Sequence, residues 1–387
     1  MNGWRWWLVL VLGGVLVVGW WWQGQKTAVS TEENSLIPLL SEETTDGFAL
    51  ALTPNAMTFP RDLGPHPDYQ TEWWYYTGNL ETADGPPFGF QFTIFRRAIR
   101  PPDQFTQTGS DWRTNQIYLA HFAVSDVANG RFYATERLSR GAIGLAGAQA
   151  EPYRVWLEDW EVAEIAPGQV RLYASTDEVT LELTLTQTMP PILHGEGGLS
   201  PKGVEPGNAS YYYSIIRQKT EGVVTINGRS HTVSGLSWKD HEYSTSALSA
   251  EAIGWDWFSL QLDDGTALML FQIRRADGTV EPASAGSFVQ ADGTVLPLHL
   301  GDWELEVLDT WRSPTSGAEY PAKWHIRIPA LELELTGAPL MPNQELTVST
   351  VYWEGAVAFR GERNGRAITA RGYIELTGYA QSMRGRL

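Results

Sequence analysis

Beyond its first sixty residues the chain runs in short apolar–polar alternations. Phe88, Phe90, Phe92 and Ile94 interleave with Gly89, Gln91 and Thr93, the period-two signature of a strand with one face in a core. Runs of this kind, rich in Val, Thr, Tyr, Trp and Phe, are separated by Asp84-Gly85, Asn129-Gly130, Asn227-Gly228, Asp264-Gly265, Asp277-Gly278, Asp292-Gly293 and Asn364-Gly365. Such pairs tolerate the positive φ angles that tight hairpins require. From about Phe59 onward nothing has helical periodicity, so the pattern predicts an all-β fold, sandwich or barrel.

An internal repeat narrows the choice. Glu72 to Leu80 (EWWYYTGNL), an Asp-Gly turn and Phe88 to Arg97 (FGFQFTIFRR) are echoed by Gly254 to Leu262 (GWDWFSLQL), Asp264-Gly265 and Leu268 to Arg275 (LMLFQIRR). A second echo pairs Asn227 to Gly235 with Asn364 to Gly372, each opening a hairpin. Two related β domains in tandem follow, residues 59–246 and 247–387. Closing each into a barrel removes exposed edge strands.

The amino terminus follows a different pattern. Trp6 to Trp22 is an uncharged run of seventeen residues bounded by tryptophans, with Arg5 before it and Lys26 after it. At 1.5 Å per residue that run spans a bilayer core of about 30 Å, and indoles favour both interfaces. Residues 1–26 therefore read as a transmembrane signal anchor that leaves the folded part outside the cytoplasm, periplasmic or extracytoplasmic. A cleaved signal peptide shares the positive end and apolar run, with Ala28-Val29-Ser30 as a fair small-x-small site; the protein would then be secreted. Residues 27–58, polar and acidic, read as a flexible tether.

Composition removes several kinds of chemistry. Among 387 residues there is no cysteine, hence no disulfide, thiolate metal site, Cys nucleophile or lipidated Cys. A net charge of −17 argues against nucleic acid as a partner. No nucleophile elbow, S-x-x-K, H-E-x-x-H, dinucleotide fingerprint or P-loop occurs, and no cofactor is expected.

What remains is a dense constellation at the expected domain joint, Trp238-Lys239-Asp240-His241-Glu242-Tyr243 followed by Gly254-Trp255-Asp256-Trp257. Alternation puts Asp256 on an apolar face with Phe258, Leu260 and Leu262, where desolvation would raise its pKa. Asp256 is thus the candidate proton donor. The indoles of Trp255 and Trp257 could stabilise a cation, and His241 with Asp240 or Glu242 could orient a water. Plainer readings stand beside these: Asp240 and Glu242 as solvated turn charges, Asp256 as a structural carboxylate, His121 as a satisfied strand histidine. A metal site is not expected, because the constellation holds a single histidine. Glu72, Trp73, Trp74 and Tyr76, with Trp238, Tyr243, Trp255 and Trp257, are candidate walls for a hydrophobic small molecule, since consecutive rings must point to both sides of a strand.

The ordered motifs Glu72 to Leu80, Ala120-His121-Phe122, Trp238 to Ser244 (WKDHEYS), Gly254 to Gly265, Ser316 to Pro321 (SGAEYP), Tyr352 to Val357 (YWEGAV) and Glu375 to Ala380 (ELTGYA) together resemble the AttH branch of the AttH/carotenoid 1,2-hydratase family over about residues 58–381. The resemblance implies two lipocalin-like barrels in tandem. It also implies a hydrophobic isoprenoid or polyene-like ligand, since the carotenoid hydratases add water across a terminal isoprenoid double bond without a redox cofactor. AttH-type members accompany ABC-transporter components and carry a label of secreted hydrolase, so the resemblance equally allows a carrier or accessory subunit.

Overall fold

The computed structural model describes residues 45–383, apart from Ala56, Asp84, Pro86, Gln107, Ser246 and Ala247. The expected anchor, most of the tether and the aspartate of the Asp84-Gly85 turn lie outside the described residues. No described helix is long and apolar enough to cross a membrane.

The first sheet contains β1 (Thr71–Glu81), β2 (Phe88–Ala98), β3 (Gln116–Asp126), β4 (Arg131–Arg140), β5 (Ala146–Gln149), β6 (Arg154–Leu157), β7 (Trp160–Ala166), β8 (Gln169–Ser175), β9 (Val179–Gln187), the short β10 (Ile192–Leu193) and β11 (Leu199–Pro201), β12 (Ala209–Ile226) and β13 (Arg229–Ser244). Its order is β4-β3-β2-β1-β13-β12-β9-β8-β7-β6-β5, with β10 and β11 also on β12. The far end curls back, so that β6 touches β2, β3 and β4. The second sheet contains β14 (Ala252–Leu262), β15 (Ala267–Arg275), β16 (Ala285–Val289), β17 (Val295–His299), β18 (Glu304–Arg312), β19 (Glu319–Ile328), β20 (Leu333–Pro339), β21 (Glu345–Thr347), β22 (Val351–Arg363) and β23 (Arg366–Leu376). Its order, β17-β16-β15-β14-β23-β22-β20-β19-β18, repeats that of the first. The fold is all-β, with two barrel-like halves in tandem, as the repeat implies.

The two hairpins opened by Asn-Gly correspond. Asn227 and Gly228 have φ of 48° and 80°, and Asn364 and Gly365 have 49° and 71°, the left-handed pair that a two-residue turn of right-twisted strands needs. Register corrects the other echo. Leu80 faces Gly235 on one side and Phe88 on the other, whereas Leu260 faces Gly372 and Leu268. Leu260, rather than Leu262, therefore matches Leu80, and Asp256 matches Tyr76, rather than Trp74. A shift of two leaves every side chain on its predicted face.

Alternation sorts these strands into three cores. Trp74, Tyr76, Phe90, Phe92 and Trp160 fill the first barrel. Phe258, Leu260, Leu262, Trp324 and Trp353 fill the second. Tyr75, Tyr212, Trp238, Trp257, Met269, Phe271 and Tyr373 form a third cluster where the halves meet, with Trp73 and Trp255 partly buried against it. The expected tether is corrected at its carboxyl end. Phe48 and Ala51 are buried, Ala49 bonds Asp68 through its backbone amide, and its carbonyl accepts from Thr245. Apolar side chains at these positions give the segment a surface to bury, which a tether lacks.

Candidate functional site

On β13 the side chains of Trp238, Asp240 and Glu242 point into the seam between the halves, and those of Lys239, His241 and Tyr243 point into the first barrel, because neighbours on a strand face opposite ways. On β1, Trp73 and Tyr75 face the seam, and Glu72, Trp74 and Tyr76 face the barrel. On β14, Trp255 and Trp257 face the seam, and Asp256 faces the second barrel. The predicted constellation is thus divided among three environments.

The seam holds the carboxyls and indoles together. Asp240 accepts hydrogen bonds from the Trp238 indole (2.6 Å), from the Tyr212 hydroxyl (2.8 Å) and from Ser214. Tyr212 in turn accepts from the Trp257 indole at 3.1 Å, so the chain of bonds crosses from one half to the other. Burial pushes the Asp240 carboxyl up to about 7 despite these donors. Glu354 on β22 and Glu375 on β23 stand directly opposite each other across neighbouring strands. Burial raises the Glu375 carboxyl to about 8, against an opposing hydrogen bond from Trp255. Burial and the neighbouring Glu375 raise Glu354 well above the carboxylate range. Like charges facing each other cannot both ionise cheaply out of water. At the seam's edge Glu242 accepts from Ser210 and pairs with Lys202 at 3.3 Å. His194 bridges Ser214 (2.6 Å) and Ser287 of the second half (2.9 Å), and burial lowers its pKa to about 3.

Inside the first barrel the polar network is structural in character. Glu72 accepts from Arg96 at 2.8 Å, from His241 Nε2 at 2.8 Å and from His66 Nδ1 at 2.8 Å, while His66 Nε2 meets Asp62 at 2.7 Å. Burial alone would lower the His66 pKa, but bonds to the two carboxylates raise it. Burial takes His241 the other way, to about 4. Its ring is therefore neutral at pH 7, with Nδ1 assigned as acceptor from the Tyr213 hydroxyl at 3.0 Å. Lys239, in the same interior, lies 4.4 Å from the Tyr153 ring centroid, and burial lowers its amine to about 7.

One ligand atom from each of His66, Glu72 and His241 lies within 4.8 Å of the others, the group of described residues able to converge on a metal ion. The expectation of a lone histidine misses His66, which arrives from a loop remote in sequence. The 2.8 Å separations are hydrogen-bond contacts, shorter than the roughly 3.3 Å that two ligands on a tetrahedral ion keep at bond lengths near 2.0–2.1 Å. Arg96 already neutralises Glu72, and the donors are bridged by protons.

Four site expectations need correction. His241 cannot orient a water together with Asp240 or Glu242, since it faces the other side of their strand. Asp240 and Glu242 are buried, not solvated turn charges. Asp256 is buried on the apolar face as predicted, and burial raises its pKa. However, it is ion-paired to Arg274 at 3.0 Å, accepts from Tyr379 at 3.1 Å, and has its back to Trp255 and Trp257. Glu72, Trp74 and Tyr76 are buried among core residues, so they fill the first barrel. Glu354 and Glu375 escaped the sequence reading, whereas Tyr75 and Tyr212 belong to the runs Trp73 to Tyr76 and Tyr211 to Tyr213, whose consecutive rings are expected to fill a cavity or line a pocket. The only signal was an isolated glutamate in each of two apolar strand motifs, Tyr352 to Val357 and Glu375 to Ala380.

Two curled antiparallel sheets, joined in tandem along a seam of indoles and buried carboxyls, define a double-barrel β-protein with a chemically equipped interface. The AttH-like family model matches residues 50–379, and the chain belongs to that family. The structure assigned to AttH of Nitrosomonas europaea has 36% sequence identity, covers 86% of this chain and 100% of that one, and superposes with a TM-score of 0.76. Kievitone hydratase from Nectria haematococca shares the fold at 15% identity, covering 87% and 97% of the two chains with a TM-score of 0.63. CghA with Sch210972 does so at 13% identity, covering 88% and 98%, TM-score 0.51. No curated protein matches the chain.

Proposed function

We propose that this protein takes up a hydrophobic, isoprenoid or polyene-like molecule at the seam and adds water across one of its C=C bonds without a cofactor. The observation that carries this reading is the set of buried carboxyls that the seam holds without a cation, Asp240, Glu354 and Glu375. Asp240, at a pKa of about 7, has the Trp238 and Tyr212 donors on it and the Trp257 indole one bond away. A carboxylic acid that keeps its proton near neutrality can protonate an alkene. Indole faces stabilise the cation that forms. The acid is drawn from the seam rather than from Asp256, whose charge Arg274 compensates. The word hydratase in the name of one two-barrel relative is consistent with this reading.

The anchoring run Trp6 to Trp22 belongs to the same proposal, holding the folded part at an outer membrane surface near its lipophilic ligand. A carrier or accessory subunit of an ABC transporter would use the same seam without the acid.

Native mass spectrometry of the detergent-extracted protein distinguishes the two. Incubation with lycopene is expected to yield a product heavier by one water. Stoichiometric recovery of an unchanged lipid, with no conversion of lycopene, would replace the hydratase by the carrier.

A further inference from the structure

The seam also contains a buried carboxyl, Glu354, that has hydroxyls rather than a cation beside it. Both carboxyl oxygens of Glu354 and the hydroxyls of Tyr75 and Tyr373 are buried without a hydrogen bond of ordinary geometry, and the three residues are only 1%, 6% and 1% exposed. They come from both halves, Tyr75 from β1 and the other two from β22 and β23. Tyr75 and Tyr352 lie close enough to Glu354 to act on its proton. No cation is among the groups acting on Glu354, so its ionisation out of water is uncompensated and unfavourable. Burial and the facing Glu375 thus favour its neutral form, with the Tyr75 and Tyr352 hydroxyls beside it. Glu375, Tyr75, Tyr352 and Tyr373 are the titratable groups around it.

Glu354 also has a route to the surface. The Tyr352 hydroxyl meets His121 Nδ1 at 2.7 Å. His121 Nε2 meets Glu136 at 3.0 Å, and the Glu136 side chain is 21% exposed. Glu136 is further held by Ser349 of the second half. The line from Glu354 through Tyr352 and His121 to Glu136 thus crosses once from the second half to the first and ends at solvent. An imidazole with both nitrogens engaged can accept a proton at one and release it at the other.

We propose that Glu354 is the catalytic acid–base of the seam, and that Tyr352 and His121 are positioning residues that relay its proton to and from Glu136 at the surface. This rests on the hydration reading above. In the first step the alkene π pair takes the Glu354 proton, leaving a carboxylate and a carbocation on the more substituted carbon. A water lone pair then forms the C–O bond, and the excess proton on that oxygen returns to the Glu354 carboxylate. Alkene and water balance against alcohol with no change of oxidation state overall. Tyr75 and Tyr373 offer hydroxyls to hold that water.

Two readouts separate this assignment from the hydration reading. Infrared spectra of the full-length protein carrying 13C-labelled glutamate should show a protonated carboxyl band at pH 7 that Glu354→Gln removes. His121→Gln should keep the band but slow its hydrogen–deuterium exchange about tenfold or more, as expected when a proton carrier is lost. A band absent from the wild type, or unchanged in Glu354→Gln, overturns the assignment whatever the activity. With lycopene and 18O-water, Glu354→Gln should lose on the order of 100-fold or more of label incorporation, and full activity in that variant also overturns it. If the infrared pattern holds but the wild type incorporates no label, the acid and its relay stand, and hydration of such polyenes falls. Glutamine is close in shape to the neutral acid, so the variant is expected to fold.

Discussion

Asp240 is buried with hydrogen-bond donors but no cation, and this sets the sign of its response to pH. Its folded pKa of about 7 lies above the ordinary 3.8, so the stability it contributes is fully present below about pH 4 and is lost as pH rises through 7. Three units correspond to at most about 4 kcal/mol. Calorimetry of wild type and Asp240→Asn should therefore show a Tm that declines from pH 5 to 8 in the first and is flatter in the second. Equal slopes would mean that Asp240 is ionised in the fold. Glu72 behaves oppositely. Burial would raise its pKa, but Arg96 and the two histidines hold it well below the usual range, so its contribution is complete at neutral pH and disappears only in acid. Glu72→Gln leaves Arg96 without its carboxylate partner and removes the acceptor that His66 and His241 share. A loss of about 3–5 kcal/mol in denaturant unfolding is expected; a loss below about 1 kcal/mol would show the network to be dispensable.

At the scale of strands, two close backbone approaches fall at matched positions of the two halves. A Cβ on Gly235 would land on the carbonyl of Asn79, and one on Gly372 on the carbonyl of Ser259, both in the hairpin arm that the Asn-Gly turn opens. Backbone cannot retreat as a flexible side chain can, so Gly235→Ala and Gly372→Ala should each cost about 1–3 kcal/mol and lower Tm alike. One tolerated and one disruptive substitution would argue against equivalence of the arms. Strand identity, hairpin turns and face alternation were readable along the chain because they depend on near neighbours: Asp256 with Phe258 and Leu260 on one side, Trp255 and Trp257 on the other. The two-residue offset between the copies was not readable. It depends on which residue of β13 or β23 meets which residue of β1 or β14, and an even shift leaves no trace in the alternation.

The two halves share one interior as well as having their own. Separating them would expose Tyr75, Tyr212 and Trp238 of the first half, together with the unpaired end of the bond from Trp257. Residues 45–246 produced alone should thus bind a hydrophobic dye strongly and aggregate. A soluble, dye-silent fragment would indicate that the seam forms only a loose contact. The sequence by itself determined an all-β chain with two repeated units, their hairpins, the face each side chain takes, and a chemically rich stretch from Trp238 to Trp257. These depend on alternation, turn chemistry and local order. Tertiary structure alone decided that His241 joins His66, Glu72 and Arg96 inside one barrel, that Asp256 is neutralised by Arg274, and that Asp240, Glu354 and Glu375 meet between the halves. Desolvation, and hence protonation, depends on what the second half brings against the first, and residues more than a hundred positions apart carry no mark of that meeting.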